Sequence, residues 1–169
     1  MKKLIFIIGL VLLGVILFIF NKNNLVENDY KNTSYLIEGQ LVALVDGLAE
    51  TDIIPGSVSK TITKYFGNEV FGDFNNDGKE DVAFLLTQDQ GGSGTFYYLA
   101  VALSKNKGLN AIFLGDRISP QVTEFKDGKI IVNYAERKEG DSFADVPSIG
   151  VSRYFQVINE ELIEIKDLK

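Results

Sequence analysis

Nine residues of this chain, Asp73-Phe74-Asn75-Asn76-Asp77-Gly78-Lys79-Glu80-Asp81, combine side-chain types and a spacing that suit one definite chemistry. Oxygen-bearing side chains stand at the first, third, fifth and ninth places, and a glycine stands at the sixth. A hard cation such as Ca²⁺ takes about six to eight oxygens, which a short loop can offer only from alternate residues. Gly78 supplies the positive φ that turns such a loop back on itself, which frees the carbonyl of Lys79. The candidate ligands are therefore the side chains of Asp73, Asn75, Asp77 and Asp81 and the main-chain oxygen of Lys79. An EF-hand is excluded, because its twelfth place needs a bidentate glutamate and here holds Phe84. A plain polar turn competes with the ion site, since Asn76-Asp77-Gly78 is by itself a good turn sequence. Three carboxylates in nine residues repel one another until a cation or backbone donors neutralise them.

Composition narrows what else the chain can do. Its 169 residues include no cysteine and no histidine, and the net charge is −6. Disulfides, thiolate zinc sites, lipid-modified cysteine and cysteine nucleophiles are thereby excluded. The missing histidine removes the commonest general base and the commonest transition-metal ligand. An acidic chain does not suit a nucleic-acid partner. Oxygen ligands for calcium or magnesium remain.

The elements that must position the loop begin with an anchor. Met1-Lys2-Lys3 precedes an unbroken apolar run from Leu4 to Phe20, followed by the polar Asn21-Lys22-Asn23-Asn24. Seventeen helical residues reach roughly 25 Å, within the range of a membrane span. Phe18, Ile19 and Phe20 stand where a cleavable signal would carry small residues, so an uncleaved single-pass anchor is expected rather than a signal peptide. Lys2 and Lys3 stay on the cytoplasmic side, which places the rest of the chain outside. The expected organisation is anchor 1–20, polar tether 21–32 and extracytoplasmic domain 33–169. Asn32-Thr33-Ser34 fits a glycosylation acceptor, a pattern that also arises by chance.

From Thr33 onward, turn signals recur about every eight to twelve residues, the spacing of an all-β sandwich or barrel-like domain built mainly from antiparallel strands. Strands are predicted over Ser34–Ile37, Gln40–Val45, Thr61–Phe66, Val82–Thr87, Phe96–Leu103, Ala111–Leu114, Gln121–Phe125, Lys129–Tyr134, Ser152–Ile158 and Glu161–Ile165. Gln40–Leu48 has a short helix as its alternative. Val82–Thr87 and Phe96–Leu103 are nearly continuous apolar runs, as expected of central strands covered on both faces. Asp127-Gly128 marks a hairpin.

The nine-residue loop with its following strand resembles the calcium loop of FG-GAP and related integrin-type repeats, Asp-x-Asn/Asp-x-Asp-Gly-x-x-Asp. Place by place, the resemblance implies ligands at Asp73, Asn75, Asp77, Asp81 and the Lys79 carbonyl. It covers about fifteen residues, and no repeat here supports a propeller. A wider similarity runs through Gly72-Asp73, Gly92-Ser93-Gly94, Leu114-Gly115-Asp116-Arg117-Ile118 and Pro147-Ser148 to Tyr154. It looks like small bacterial envelope proteins and lipoproteins, which implies export rather than an activity.

Other chemistry has weaker support. Ser57-Val58-Ser59-Lys60 matches a Ser-x-x-Lys nucleophile pattern, but Pro55 and Gly56 oppose the helix it needs and its companion motifs are absent. Gly91–Gly94 lacks the lysine and helix of a phosphate loop. Asp116, Glu136, Glu139 and Asp141 are the carboxylates from which a glycan hydrolase could draw an acid and a base. The aromatic pairs at Tyr65-Phe66 and Phe96-Tyr97-Tyr98 read as core and cross-strand contacts rather than as a carbohydrate face. The expected function is a membrane-anchored, non-enzymatic envelope module with a calcium-binding loop and an envelope protein or glycan as partner. A carboxylate-dependent glycan hydrolase and a metal-free scaffold are the alternatives.

Overall fold

A computed structural model describes residues 29–142 and 144–166. The expected membrane anchor at residues 4–20 and the tether up to residue 28 lie outside the described residues. Among those described, no helix is long and apolar enough to cross a membrane.

The architecture is all-β. The strands run β1 Ser34–Ile37, β2 Gln40–Ala43, β3 Leu48–Asp52, β4 Lys60–Gly72, β5 Asp81–Asp89, β6 Phe96–Leu103, β7 Lys107–Gly108, β8 Asn110–Asp116, β9 Ser119–Lys126, β10 Lys129–Glu136, β11 Ile149–Ile158 and β12 Glu161–Ile165. Seven of them, in the order β2-β1-β8-β6-β5-β4-β3, curl into a nearly closed barrel, with the short β7 added beside β6. Among the described residues a single bridge, Val45 to Leu48, spans the seam between β2 and β3. A separate antiparallel sheet, β12-β11-β10-β9, covers one side. The antiparallel expectation needs one amendment: β1 pairs with β8 in parallel, Leu36 opposite Asn110, which makes the barrel mixed.

The apolar runs of β5 and β6 are explained by what lies on each face. Val82, Phe84 and Leu86, with Tyr98, Ala100 and Ala102, fill the barrel beside Tyr35, Ile37, Val42 and Leu44. Ala83 and Leu85, with Leu99, Val101 and Leu103, face Ile130, Val132, Tyr134, Phe155 and Leu162 of the second sheet. Alternating side chains thus enter two different cores, so no polar face is left on either strand.

Gln40–Leu48 follows the strand expectation and not its helical alternative, because Val42 and Leu44 point inward with a period of two. Local chemistry departs from the sequence expectation at three places. The Leu48–Asp52 strand was not expected, since Ala, Glu and Asp have low strand propensity, and it is held by its full register against β4. Strand β4 continues past Phe66 to Gly72 because the Gly67-Asn68 punctuation is a bulge, with φ of 116° and 63° and a shift of register. Finally, Asp29–Asn32 at the end of the expected tether is packed on the domain. The Tyr30 ring lies 5.1 Å from that of Phe84, and its carbonyl accepts the Tyr35 hydroxyl at 2.6 Å. The Asn32 amide bonds to Asp29 and caps the turn at Asp46, a local structural role.

The turns fall alternately at two ends of the barrel. One end gathers the Asp46-Gly47 turn, the Asp73–Asp81 loop, the β6–β7 turn and Asp29, whose N–H donates to Asn106 Oδ1 at 2.7 Å. The other end carries Glu38-Gly39, the 53–59 loop and the Gly91–Gly94 segment.

Candidate metal centre

The loop is the connection of the β4–β5 hairpin, closed at its base by the Gly72–Asp81 pair. Phe74 turns inward, 5 % exposed, and meets Phe125 of the second sheet edge-on at 4.8 Å. That apolar stitch holds the second place of the loop. Asn76 and Gly78 adopt left-handed conformations, φ 59° and 80°, the two bends that fold the chain back. Asparagine tolerates this region and glycine favours it, so the local sequence matches the local path.

Around those bends the oxygens converge on the backbone. The N–H of Asp77 donates to Asp73 Oδ1 at 3.0 Å and to Asn75 Oδ1 at 3.1 Å. Asp73 Oδ2 accepts the Gly78 N–H at 2.8 Å, and Asp77 Oδ1 accepts the Lys79 N–H at 2.9 Å. Three of the expected ligands, Asp73, Asn75 and Asp77, are therefore brought together. Lys79 contributes its N–H to the same turn, and its ammonium stands 3.7 Å from Asp77 Oδ2.

Asp81 occupies a different environment. It is fully buried, and its two oxygens accept separate main-chain donors, Phe74 N–H and Ser104 N–H, each at 2.9 Å. Burial pushes its carboxyl above the ordinary value; the two N–H donors pull the other way, and the charges of Asp77 and Asp73 add to the rise. The Asp77 carboxyl lies below its ordinary value: burial raises it, but Lys79 and Asn75 outweigh that.

The donor set is the oxygen chemistry that a hard divalent cation takes, but its present arrangement does not enclose one. Among the described residues no group of three or more acidic side chains is placed to hold a metal ion. The carboxylates of Asp73, Asp77 and Asp81 are each turned onto a backbone N–H instead. Because a carboxylate oxygen can accept more than one bond, these contacts leave acceptor capacity on Asp73 and Asp77.

Four of the remaining sequence candidates, Asp116, Asp141, Ser57 and Lys60, are already engaged within the fold. Asp116 accepts Thr95 N–H at 3.0 Å and is gripped by both Nε and Nη2 of Arg117. Asp141 accepts the Lys138 N–H within its own loop. Ser57 Oγ accepts the Ser59 N–H, and Lys60 opens β4 in an ion pair with Asp52. Phe66 of β4 and Tyr97 of β6 stand edge-on at 5.3 Å, across the intervening β5. The main-chain donor of Ser104 was invisible in the sequence, since any residue carries an N–H.

Compared with family models, with curated proteins and with solved structures, the chain has no match.

Proposed function

We propose that the chain is a non-enzymatic module of the cell envelope, anchored by residues 4–20 with its β-domain outside the cytoplasm. Its Asp73–Asp81 loop takes a divalent cation, Ca²⁺ in preference to smaller ions. The observation that carries this reading is the convergence of Asp73 and Asn75 oxygens on the Asp77 N–H, above a buried Asp81 that feels the charges of Asp73 and Asp77. Those like charges have Lys79 as a nearby cation, at one side and half exposed. A divalent ion held by Asp73, Asn75, Asp77 and the Lys79 carbonyl would relieve the repulsion, with Asp81 supplying charge from beneath.

Calorimetric titration of the detergent-solubilised chain with calcium and with magnesium tests it. The expected result is calcium heat with a dissociation constant of about 10⁻⁴–10⁻³ M, the range of extracellular modules. Asp77→Ala should be silent. Absence of heat from the unaltered chain would remove the ion from the proposal.

A metal-free scaffold is the second reading, and one observation favours it: Asp73, Asp77 and Asp81 already accept backbone N–H groups. In that case the loop is a self-capped turn, and chelator leaves the melting temperature unchanged.

A further inference from the structure

The barrel seam is apolar on both faces. Val42 and Leu44 point into the core. The alternating residues Leu41, Ala43 and Val45 point out, with Leu41 68 % and Val45 67 % exposed. Leu36 stands directly opposite Leu41, and Leu48 opposite Val45, at 44 % and 43 % exposure. Five apolar side chains thus make one bare stripe from the Asp46-Gly47 turn up the side of the barrel, about 13 Å long at the usual rise of a strand. Soluble proteins leave single apolar residues exposed without consequence, but a contiguous rimmed stripe marks a contact surface.

The stripe starts where the chain leaves the described domain. Gly47 N–H donates to Lys31 O, and Asp46 N–H to Asn32 Oδ1. Residues 21–28 separate Asp29 from the apolar run, a reach of at most about 29 Å. Lys31 and Lys64 flank the stripe at this end, as do Asp46 and Glu50, so charge alone does not bring this face to anionic lipid.

We infer that this stripe, Leu36, Leu41, Ala43, Val45 and Leu48, rests against the lipid bilayer, so that the barrel lies on the membrane by its seam. The inference depends on the anchored reading. A face this small would not hold a free protein on lipid. Tethering makes the contact intramolecular, and a short linker gives an effective concentration in the millimolar range. Lys64 can extend its stem along the surface and keep its ammonium at headgroup level, whereas the Lys31 ammonium lies over the Tyr65 ring, 4.0 Å from its centroid.

The chain contains no tryptophan, so one introduced residue reports its own surroundings. Val45→Trp, Leu41→Trp and Val146→Trp are each made in the full chain and reconstituted into vesicles of phosphatidylcholine with a minority of phosphatidylglycerol. Val146, 80 % exposed, lies in the β10–β11 connection of the second sheet, on the side away from the seam, and is the control. An interfacial apolar face lies about 5–10 Å into the headgroup and acyl boundary, so Val45→Trp and Leu41→Trp should shift to the blue and lose at least about half their emission to acyl-brominated lipid. Val146→Trp should do neither. If the chain resists alkaline extraction from the vesicles but all three respond alike, the seam contact is wrong while the anchor stands. If it washes off, the anchored reading fails and takes this inference with it. Shielding from an aqueous quencher without lipid quenching, together with a crosslinked dimer, assigns the stripe to a second copy and overturns the bilayer.

Discussion

The carboxylate of Asp81 accepts the backbone N–H of Ser104 across 23 residues of sequence, joining the base of the candidate ion loop to the end of β6. Its other oxygen holds the Phe74 N–H. One buried side chain therefore closes two turns at the same end of the barrel, whether or not an ion is bound above it.

Asp81→Asn keeps the shape but leaves one acceptor oxygen for two donors. At acid pH, where Asp81 is protonated, the folded chain gains from its raised pKa, because it holds that proton more tightly than the unfolded chain does. The contribution is full below the ordinary value of 3.8 and is lost as pH rises through the higher folded value. The melting temperature of the unaltered chain minus that of Asp81→Asn should therefore fall as pH rises above 3.8. A difference that grows as pH rises would show the burial argument to be wrong.

Occupancy of the loop has a thermal signature. At a tenfold excess of calcium over its dissociation constant, mass action stabilises the fold by about 1.4 kcal/mol. In a domain of this size that is a rise of roughly 3–6 °C in melting temperature. Asp77→Ala should melt at one temperature with calcium or with chelator.

The first described residues belong to the fold. A fragment spanning 33–169 lacks the Tyr30 ring against Phe84 and Tyr65, and the Lys31 carbonyl that accepts Gly47 N–H. Urea unfolding should show it about 2–4 kcal/mol less stable than a fragment spanning 29–169, from the lost aromatic burial and hydrogen bonds. Equal stabilities would return residues 29–32 to the tether.

Two glycines of the loop region, Gly72 at its base and Gly78 at its second bend, matter for different reasons. A Cβ on Gly72 would stand 2.5 Å from Phe125 Cδ1 and 3.1 Å from Phe74 Cε1, so Gly72→Ala must push the loop off the second sheet. The expected cost is about 1–3 kcal/mol. A Cβ on Gly78 would meet nothing within 4 Å, but its φ is 80°. Gly78→Ala should cost about 1–2 kcal/mol, from backbone conformation alone. A denaturant midpoint left unchanged by either substitution would contradict this account.

Arg153 ties the sheets together. Its guanidinium forks onto Glu164 at 2.8 and 2.6 Å and also donates to the Phe113 carbonyl of the barrel at 2.7 Å. The Glu164 carboxyl is held below its ordinary value, chiefly by that fork. Its contribution is present above the unfolded pKa and is lost as pH falls through the folded one. The stability gap between the unaltered chain and Arg153→Met should accordingly narrow as the solution is acidified below about pH 4.5. A gap independent of pH would mean that only the carbonyl contact matters.

Much of this architecture was written locally. The turn at Asp127-Gly128, with φ of 51° and 70°, and the one at Asn159-Glu160, with 52° and 61°, are left-handed pairs that set their hairpins from a few residues. The double burial of β5 and β6 was legible because a strand between two cores has no polar face. The alternate oxygens and the glycine of the Asp73–Asp81 loop were legible for the same reason, since short-range geometry is dictated by nearest neighbours.

Other features depended on partners distant in the chain. Parallel pairing of β1 with β8 joins segments more than seventy residues apart and leaves no signature in either strand. Strand β3 exists because β4 offers it a register, against the propensity of its own residues. The burial of Asp81 depends on where β6 ends, and the outer face of β2 became a bare stripe only because the barrel stops at that seam. Local sequence sets backbone bends and which residues alternate. What each face meets is decided by long-range contacts, and those form only when the whole barrel closes.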